Sequence, residues 1–194
     1  MSLKERVYSI LVVSAAENFN ASLSELLPES HYHPVHIVSN ISEAKRAITE
    51  RTFDFVFINA PLPDESGTHF SIDASTVKNA VVLLLVRSDI YAETLDKVAE
   101  HGVFVLSKPT SKPIVNHALE WMVSARERLR MQENKTQTLE DKMAEIRIVN
   151  RAKLLLISEM HMEESQAHHY IEKQAMDRCV TRKVIAEEII KTYS

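Results

Sequence analysis

Apolar residues over the first 112 positions form short continuous runs separated by segments with helical spacing. The runs predict strands at 7–13, 35–38, 55–58, 81–86 and 103–106. The intervening apolar positions recur every three or four residues and predict helices at 18–27, from a cap at Ser42 to Arg51, at 68–79 and at 90–100. The β-branched run at 7–13 is nearly continuous, which is typical of a strand buried on both faces. This alternation predicts a doubly wound, five-stranded parallel sheet.

The pattern changes at Pro113, where one long helix without Gly or Pro is predicted to run to about Ile157. Its apolar positions form two series, and the members of each series are seven residues apart. Together they make an imperfect a/d seam, and residues of mixed charge lie between the seam positions. The seam positions are Met122, Ala125, Leu129, Thr136, Leu139, Met143 and Ile146. Because a single chain would expose this seam, we expect a coiled coil that joins two copies into a homodimer. In the alternative, the helix folds back onto its own domain.

Two further helical segments follow, at 163–178 and from a cap at Thr181 to about Lys191. Together with the end of the long helix they predict a three-helix bundle, too small to be stable without that connection. The predicted organisation is an α/β domain at 1–120, a dimerisation helix at 121–150 and a helical module at 151–194. The first helix of the module continues the coiled coil.

The composition of the chain limits its possible cellular compartments and binding partners. The single cysteine, Cys179, excludes an internal disulfide and suits a reducing compartment. The longest apolar run, 80–86, is too short to span a membrane, and the N-terminus lacks a signal-peptide cleavage site, so we expect a cytoplasmic protein without a membrane partner. With a net charge of −4, any nucleic-acid binding must rest on a local basic cluster.

Enzymatic chemistry is not indicated. Two glycines cannot form a phosphate-binding loop, and no nucleophile–base pair stands out. The spacing of His161, His168 and His169 does not match a metal site, and adjacent histidines point to different faces of a helix. We therefore expect no enzyme, no metal and no cofactor.

The strand ends resemble response-regulator receiver domains over residues 6–125, through the spacing from Asn59 to Pro63 and Gly67 and the corner at 107–109. This resemblance implies a flavodoxin-like, receiver-like fold. In that family an aspartate accepts a phosphoryl group beside an acidic pair, a Thr or Ser and a lysine. The matching positions here are Ser14, Ala15, Asn59, Leu85, Val86 and Lys108. Because an amide cannot accept the phosphoryl group and Mg²⁺ prefers carboxylates, the resemblance implies a pseudo-receiver. Whether Asp64 or Glu65 reaches the pocket stays open.

Residues 139–191 resemble the ANTAR domain. The run at 150–157 matches the opening of that family, the spacing of residues 167–176 its second helix, and the run at 182–190 its third. The layout of degenerate receiver, coiled coil and ANTAR domain is similar to the antiterminator type known from the aliphatic-amidase operon. Packing positions are expected at Ala152, Ala167, Ala175, Met176 and Ala186.

The resemblance implies binding to paired RNA stem-loops in nascent transcripts, which prevents a terminator hairpin from forming. Loop recognition uses stacking and phosphate contacts. The candidate RNA-binding residues are Arg151, Lys153, His168, Arg178, Thr181, Arg182 and Lys183. By analogy, a sensor or inhibitor protein would mask the coiled coil or the RNA-binding face until a ligand releases it.

Two other functions stay open. The helical module could bind another protein, which would make the chain an interaction adaptor without nucleic-acid binding. Alternatively, the last helices could form a DNA-binding helix-turn-helix, although the final helix offers only Arg182, Lys183 and Lys191 for DNA contacts.

Overall fold

The computed structural model describes residues 6–76 and 78–193. They divide into two compact units, Met1–Arg130 and Met131–Ser194. The division lies ten residues beyond the predicted boundary at residue 120, because the long helix continues to pack on the sheet as far as Arg130.

The first unit is built around the predicted five-stranded parallel sheet. Its strands are β1 (Tyr8–Val13), β2 (Tyr32–Val38), β3 (Phe55–Asn59), β4 (Val81–Arg87) and β5 (Phe104–Lys108). The strand order is β2-β1-β3-β4-β5, and every neighbouring pair is parallel. The predicted doubly wound fold is therefore confirmed. The carboxyl ends of β1, β3 and β5 lie along one edge of the sheet, where ligand sites form in such folds.

Helices cover both faces of this sheet. They are α1 (Glu17–Ser24), α2 (Ile41–Glu50), α3 (Thr68–Thr76), α4 (Tyr91–Val98) and the first part of α5 (Lys112–Met160), with 3-10 turns at Ser88–Ile90 and Ala99–His101. One apolar core joins α2, α3 and α4 to one face of the sheet. A second core joins α1 and α5 to the other face. Alternate residues of each strand enter the two cores, which explains the continuous apolar runs in the sequence.

The first turn of α2 corrects one sequence prediction. The N-cap is Asn40, whose side chain accepts a hydrogen bond from the Glu43 N–H at 2.8 Å, rather than Ser42. The Asp64 carboxylate accepts hydrogen bonds from the N–H groups of Ile41 at 3.0 Å and Ser42 at 2.9 Å. These bonds, led by the one from Ile41, hold the pKa of Asp64 below its usual value.

The early part of α5 belongs to the core of the first unit. Met122 has no exposed surface, and Ala125 and Leu129 are half-buried against the same cluster. The prediction that Met122 forms part of a dimer seam is therefore wrong, and Ala125 and Leu129 also face the sheet of their own chain. In this part of α5 the structure agrees with the alternative prediction, in which the helix folds back onto its own domain. The a/d pattern could not reveal this, since a sheet and a partner helix both require an apolar stripe.

An ionic cluster fixes the last turns of α5 in this unit. Asp54, directly before β3, accepts hydrogen bonds from Arg126 at 2.9 Å and Arg130 at 2.7 Å, and from the Ser9 N–H at 3.0 Å. Burial alone would raise the pKa of Asp54, but these hydrogen bonds and the two arginine charges outweigh it and hold that pKa below its usual value. Glu127 accepts a further bond from Arg130 at 3.1 Å.

The second unit contains the remainder of α5 with α6 (Glu164–Asp177) and α7 (Arg182–Tyr193), as predicted to within a few residues. Its core comprises Ala152, Leu156, Ala167, Ile171, Ala175, Ile185, Ala186 and Ile189. The packing prediction for Met176 is wrong, because its side chain is 77% exposed. In the described part of the chain, no helix combines the length and apolarity needed to cross a membrane.

Candidate functional site

Three polar side chains meet at the carboxyl edge of the sheet. Asn59, at the end of β3, donates its amide N–H to the Ser14 hydroxyl at 3.1 Å. Its amide oxygen accepts a hydrogen bond from Lys108 Nζ at 2.8 Å, and Lys108 also donates to the carbonyl of Ala60. Ser14 and Asn59 are buried, and burial lowers the pKa of Lys108. The amide thus bridges a hydroxyl and an ammonium group, so the three predicted residues form one closed network.

None of the six residues at the positions that match the receiver pocket carries a carboxylate. Leu85 and Val86 are buried and apolar, and Ala15 is exposed without a functional group. Asp64 is engaged at the start of α2, and Glu65 pairs with Lys45 at 3.1 Å. The two nearby carboxylates therefore do not replace the missing acidic residues.

The loop after β3 retains a backbone geometry that only glycine tolerates well. Gly67 has φ +83°, and a Cβ at this position would lie 2.8 Å from Ile58 Cγ2. Such a contact and a positive φ both disfavour other residues. The resemblance at Gly67 therefore reflects the geometry of the scaffold, whereas Asn59 carries an amide rather than a carboxylate.

The second unit contains an open cleft of about 400 Å³ between α5 and the two following helices. This size falls within the range of small-molecule pockets, roughly 300–1,000 Å³. The lining residues are Lys142, Glu145, Ile146, Val149, Asn150, Lys153, His168 and Arg182. The structure thus brings together three of the predicted RNA-binding residues, namely Lys153, His168 and Arg182.

Each of these three side chains faces at least one carboxylate. Arg182 lies 3.5 Å from Glu172 and 3.9 Å from Glu145. Lys153 pairs with Glu164 at 3.3 Å, and the His168 ring lies 3.3 Å from Glu172. Arg182 is held from two sides, which restricts the orientation of its guanidinium plane.

The other predicted residues lie outside the cleft. Arg178 forms a bidentate ion pair with Glu188, at 2.5 and 2.8 Å. Thr181 accepts a hydrogen bond from the Val184 N–H at 3.5 Å and so acts as the predicted cap of α7. Arg151 is exposed, and Lys183 lies 3.9 Å from Glu187 in the next turn of the same helix.

Sequence reasoning missed the α5 wall of the cleft. Lys142, Glu145, Val149 and Lys153 lie three to four residues apart and share one helix face, and Asn150 lies beside Val149 on the same lining. A basic and amide-bearing stripe at this spacing was the available signal. The coiled-coil pattern hid this signal, because it assigns Lys142 to the solvent face and Asn150 to the a/d seam.

An exposed apolar stripe runs along the same part of α5. Leu139 and Met143 are each 61% exposed, Ile146 is 58% exposed and Leu154 is 66% exposed. Thr136, the polar position predicted in this seam, is also exposed. Four exposed large apolar residues on one helix face are unusual for a monomer and are typical of an interaction surface.

Comparison with known proteins locates this helical unit in a described family. Residues 137–190 match the ANTAR domain. Along its length the chain is 25% identical over 184 residues to the transcriptional regulatory protein PdtaR of Mycobacterium tuberculosis strain CDC 1551 / Oshkosh, covering 94% of this chain and 89% of PdtaR. The corresponding protein of strain H37Rv matches equally well.

The first unit is similar in fold to solved receiver domains. The signal receiver domain of an HD domain-containing protein from Pseudomonas fluorescens Pf-5 superposes with a TM-score of 0.57 at 22% identity, covering 68% of this chain and 96% of that domain. A CheY-like response regulator receiver domain protein from Methanospirillum hungatei JF-1 gives 0.56 at 18% identity, covering 63% and 98%. At these identities the similarity concerns the fold.

Proposed function

We propose that this chain, which joins a receiver-like fold to an ANTAR domain at residues 137–190, is an RNA-binding regulator of transcription antitermination. It captures paired stem-loops in a nascent transcript and so keeps a terminator hairpin from forming. It is a cytoplasmic, non-enzymatic protein. The observation that carries the proposal is that every described residue lining the cleft lies inside the segment that matches the ANTAR domain.

The charge balance of the cleft favours an unpaired base over a phosphate group. The side chains of Lys153, His168 and Arg182 already face carboxylates, which would repel a phosphate placed among them. A base is uncharged and fits the mixed surface. Ile146 and Val149 contribute apolar contact, Asn150 a donor and an acceptor for a base edge, and Arg182 a planar group for stacking.

A homodimer suits a target with two hairpins. The exposed stripe at Leu139, Met143 and Ile146 supports pairing of two α5 helices over this part of the predicted seam. Each copy would then hold one hairpin, and binding of the first hairpin raises the effective concentration of the second.

A titration of the full-length protein with labelled RNA tests this function. We expect tight binding to a transcript with two hairpins and binding weaker by about 100-fold when one hairpin is deleted, as linked sites require. Equal binding to both RNAs, or binding that depends on salt alone, would contradict the proposal. Failure to bind RNA, together with a stable protein complex, would instead support an interaction adaptor.

We also propose that a partner protein, not phosphorylation, regulates the chain. Neither the wild-type protein nor an Asn59→Asp variant is expected to incorporate label from acetyl phosphate with Mg²⁺. The variant supplies an acceptor carboxylate, but Ser14 and Ala15 leave the metal without its acidic ligands. A triple variant that also carries Ser14→Asp and Ala15→Asp is the matched positive control. Labelling of the wild-type first unit would overturn this part of the proposal.

A further inference from the structure

The exposed apolar stripe and the cleft share the side chain of Ile146. Ile146 and Asn150 line the cleft, and both also lie on the a/d pattern that includes Leu139 and Met143. Any second helix paired along that stripe must therefore run beside the open rim of the cleft. This overlap makes the arrangement of the dimer part of the binding site.

A parallel, in-register pair of helices places specific side chains opposite each other. In a parallel, in-register pair, each g position lies opposite the e position five residues later on the partner helix. Lys135 then lies opposite Glu140 of the partner subunit, which is an attractive pair. Val149 lies opposite Leu154 of the partner subunit, which would cover an apolar side chain that is 66% exposed in the single chain.

The next g–e pair is repulsive and lies at the cleft. Lys142, a lining residue, lies opposite Arg147 of the partner subunit. Both side chains are exposed, and neither has an ion-pair partner among the described residues, in contrast to Lys153 and Arg182. Two uncompensated cations at one rim repel each other until an anion lies between them.

We propose that two copies pair in parallel along Leu139, Met143, Ile146 and Leu154, so that Arg147 of the partner subunit completes each cleft beside Lys142. This arrangement rests on the proposed RNA-binding function, and it gives one site two roles. The cleft holds a base, and the two-subunit rim binds the adjoining phosphate. Because the phosphate relieves the repulsion at the rim, RNA tightens the dimer, and dimerisation in turn tightens RNA binding.

A charge-reversal cycle measured without RNA tests the arrangement. Arg147→Glu and Lys142→Glu each convert the repulsive pair into an attractive one, and we expect each to tighten the dimer dissociation constant roughly tenfold, because the pair occurs twice. The double variant places two glutamates opposite each other and should return close to the wild-type value. Arg151→Glu on the same helix, outside the seam, controls for net charge and should leave dimerisation unchanged. Sedimentation equilibrium of the full-length proteins provides the constants.

The outcomes separate this inference from the proposed function. Single variants without effect, or effects that add in the double variant, overturn the parallel arrangement. If the cycle behaves as expected, Arg147→Glu should still weaken binding to two-hairpin RNA about tenfold, and two-hairpin RNA should tighten the wild-type dimer. RNA binding unchanged by Arg147→Glu overturns the shared rim but not the RNA-binding function. If the wild-type protein binds no RNA, both the shared rim and the RNA-binding function are overturned, even if the cycle without RNA supports the parallel pairing.

Discussion

Replacing Met122 by alanine is expected to lower the free energy of unfolding by about 2–5 kcal/mol, the usual cost of emptying a buried methionine site. Met122 has no exposed surface and belongs to the same apolar core as Leu119 and the sheet residue Phe57. The central strands β1, β3 and β4 cannot move to close the cavity, because each is hydrogen-bonded to two neighbouring strands. Denaturant unfolding monitored by circular dichroism measures the change.

Met143 provides a matched control for this substitution. It lies in the same helix, at the same heptad position three repeats later, but is 61% exposed. Met143→Ala should change the stability of the monomer by less than about 0.5 kcal/mol, as expected at a surface position. It should instead weaken dimerisation. Equal losses of stability in the two variants would contradict the assignment of Met122 to the core and Met143 to the dimer surface.

These two methionines also show how far the sequence determines the fold. The strands could be predicted because continuous β-branched runs have few structural alternatives. The length of α5 could be predicted because Gly and Pro are absent after Pro113. What covers each apolar turn of that helix could not be predicted, since Met122 and Met143 carry the same pattern and differ only in tertiary contacts.

Replacing Arg182 by alanine is expected to weaken binding of two-hairpin RNA by about 10- to 100-fold, the usual range for a side chain that contacts a base. Lys191→Ala is the matched control, since it removes an exposed cation from the same helix outside the cleft, and should change affinity by less than about twofold. Fluorescence anisotropy with labelled RNA measures both, and circular dichroism confirms that the helices are intact.

A lysine at the same position distinguishes stacking from simple charge. Arg182→Lys retains the positive charge but lacks the planar guanidinium group, so it should remain close to the alanine variant if a base stacks there. Recovery to wild-type affinity would show that Arg182 acts only through its charge. If Arg182→Ala binds RNA with wild-type affinity, the cleft is not part of the RNA-binding surface.

The cleft could be only partly predicted for a similar reason. Lys153, His168 and Arg182 were identified individually, whereas their convergence depends on how α6 and α7 pack against α5. The pairing of Arg178 with Glu188 likewise depends on helix packing, because Arg178 caps the end of α6 and Glu188 lies on α7. By contrast, the amide at Asn59 could be predicted directly from the sequence, since the chemical type of a side chain does not depend on packing.

The mass of the protein–RNA complex tests the central claim most directly. Sedimentation equilibrium of the full-length protein with a saturating two-hairpin transcript should give two chains per RNA, and a one-hairpin transcript should give a markedly weaker complex. A complex with one chain per RNA that is indifferent to the second hairpin, or no complex at micromolar concentration, would contradict the account of a dimer that binds two hairpins.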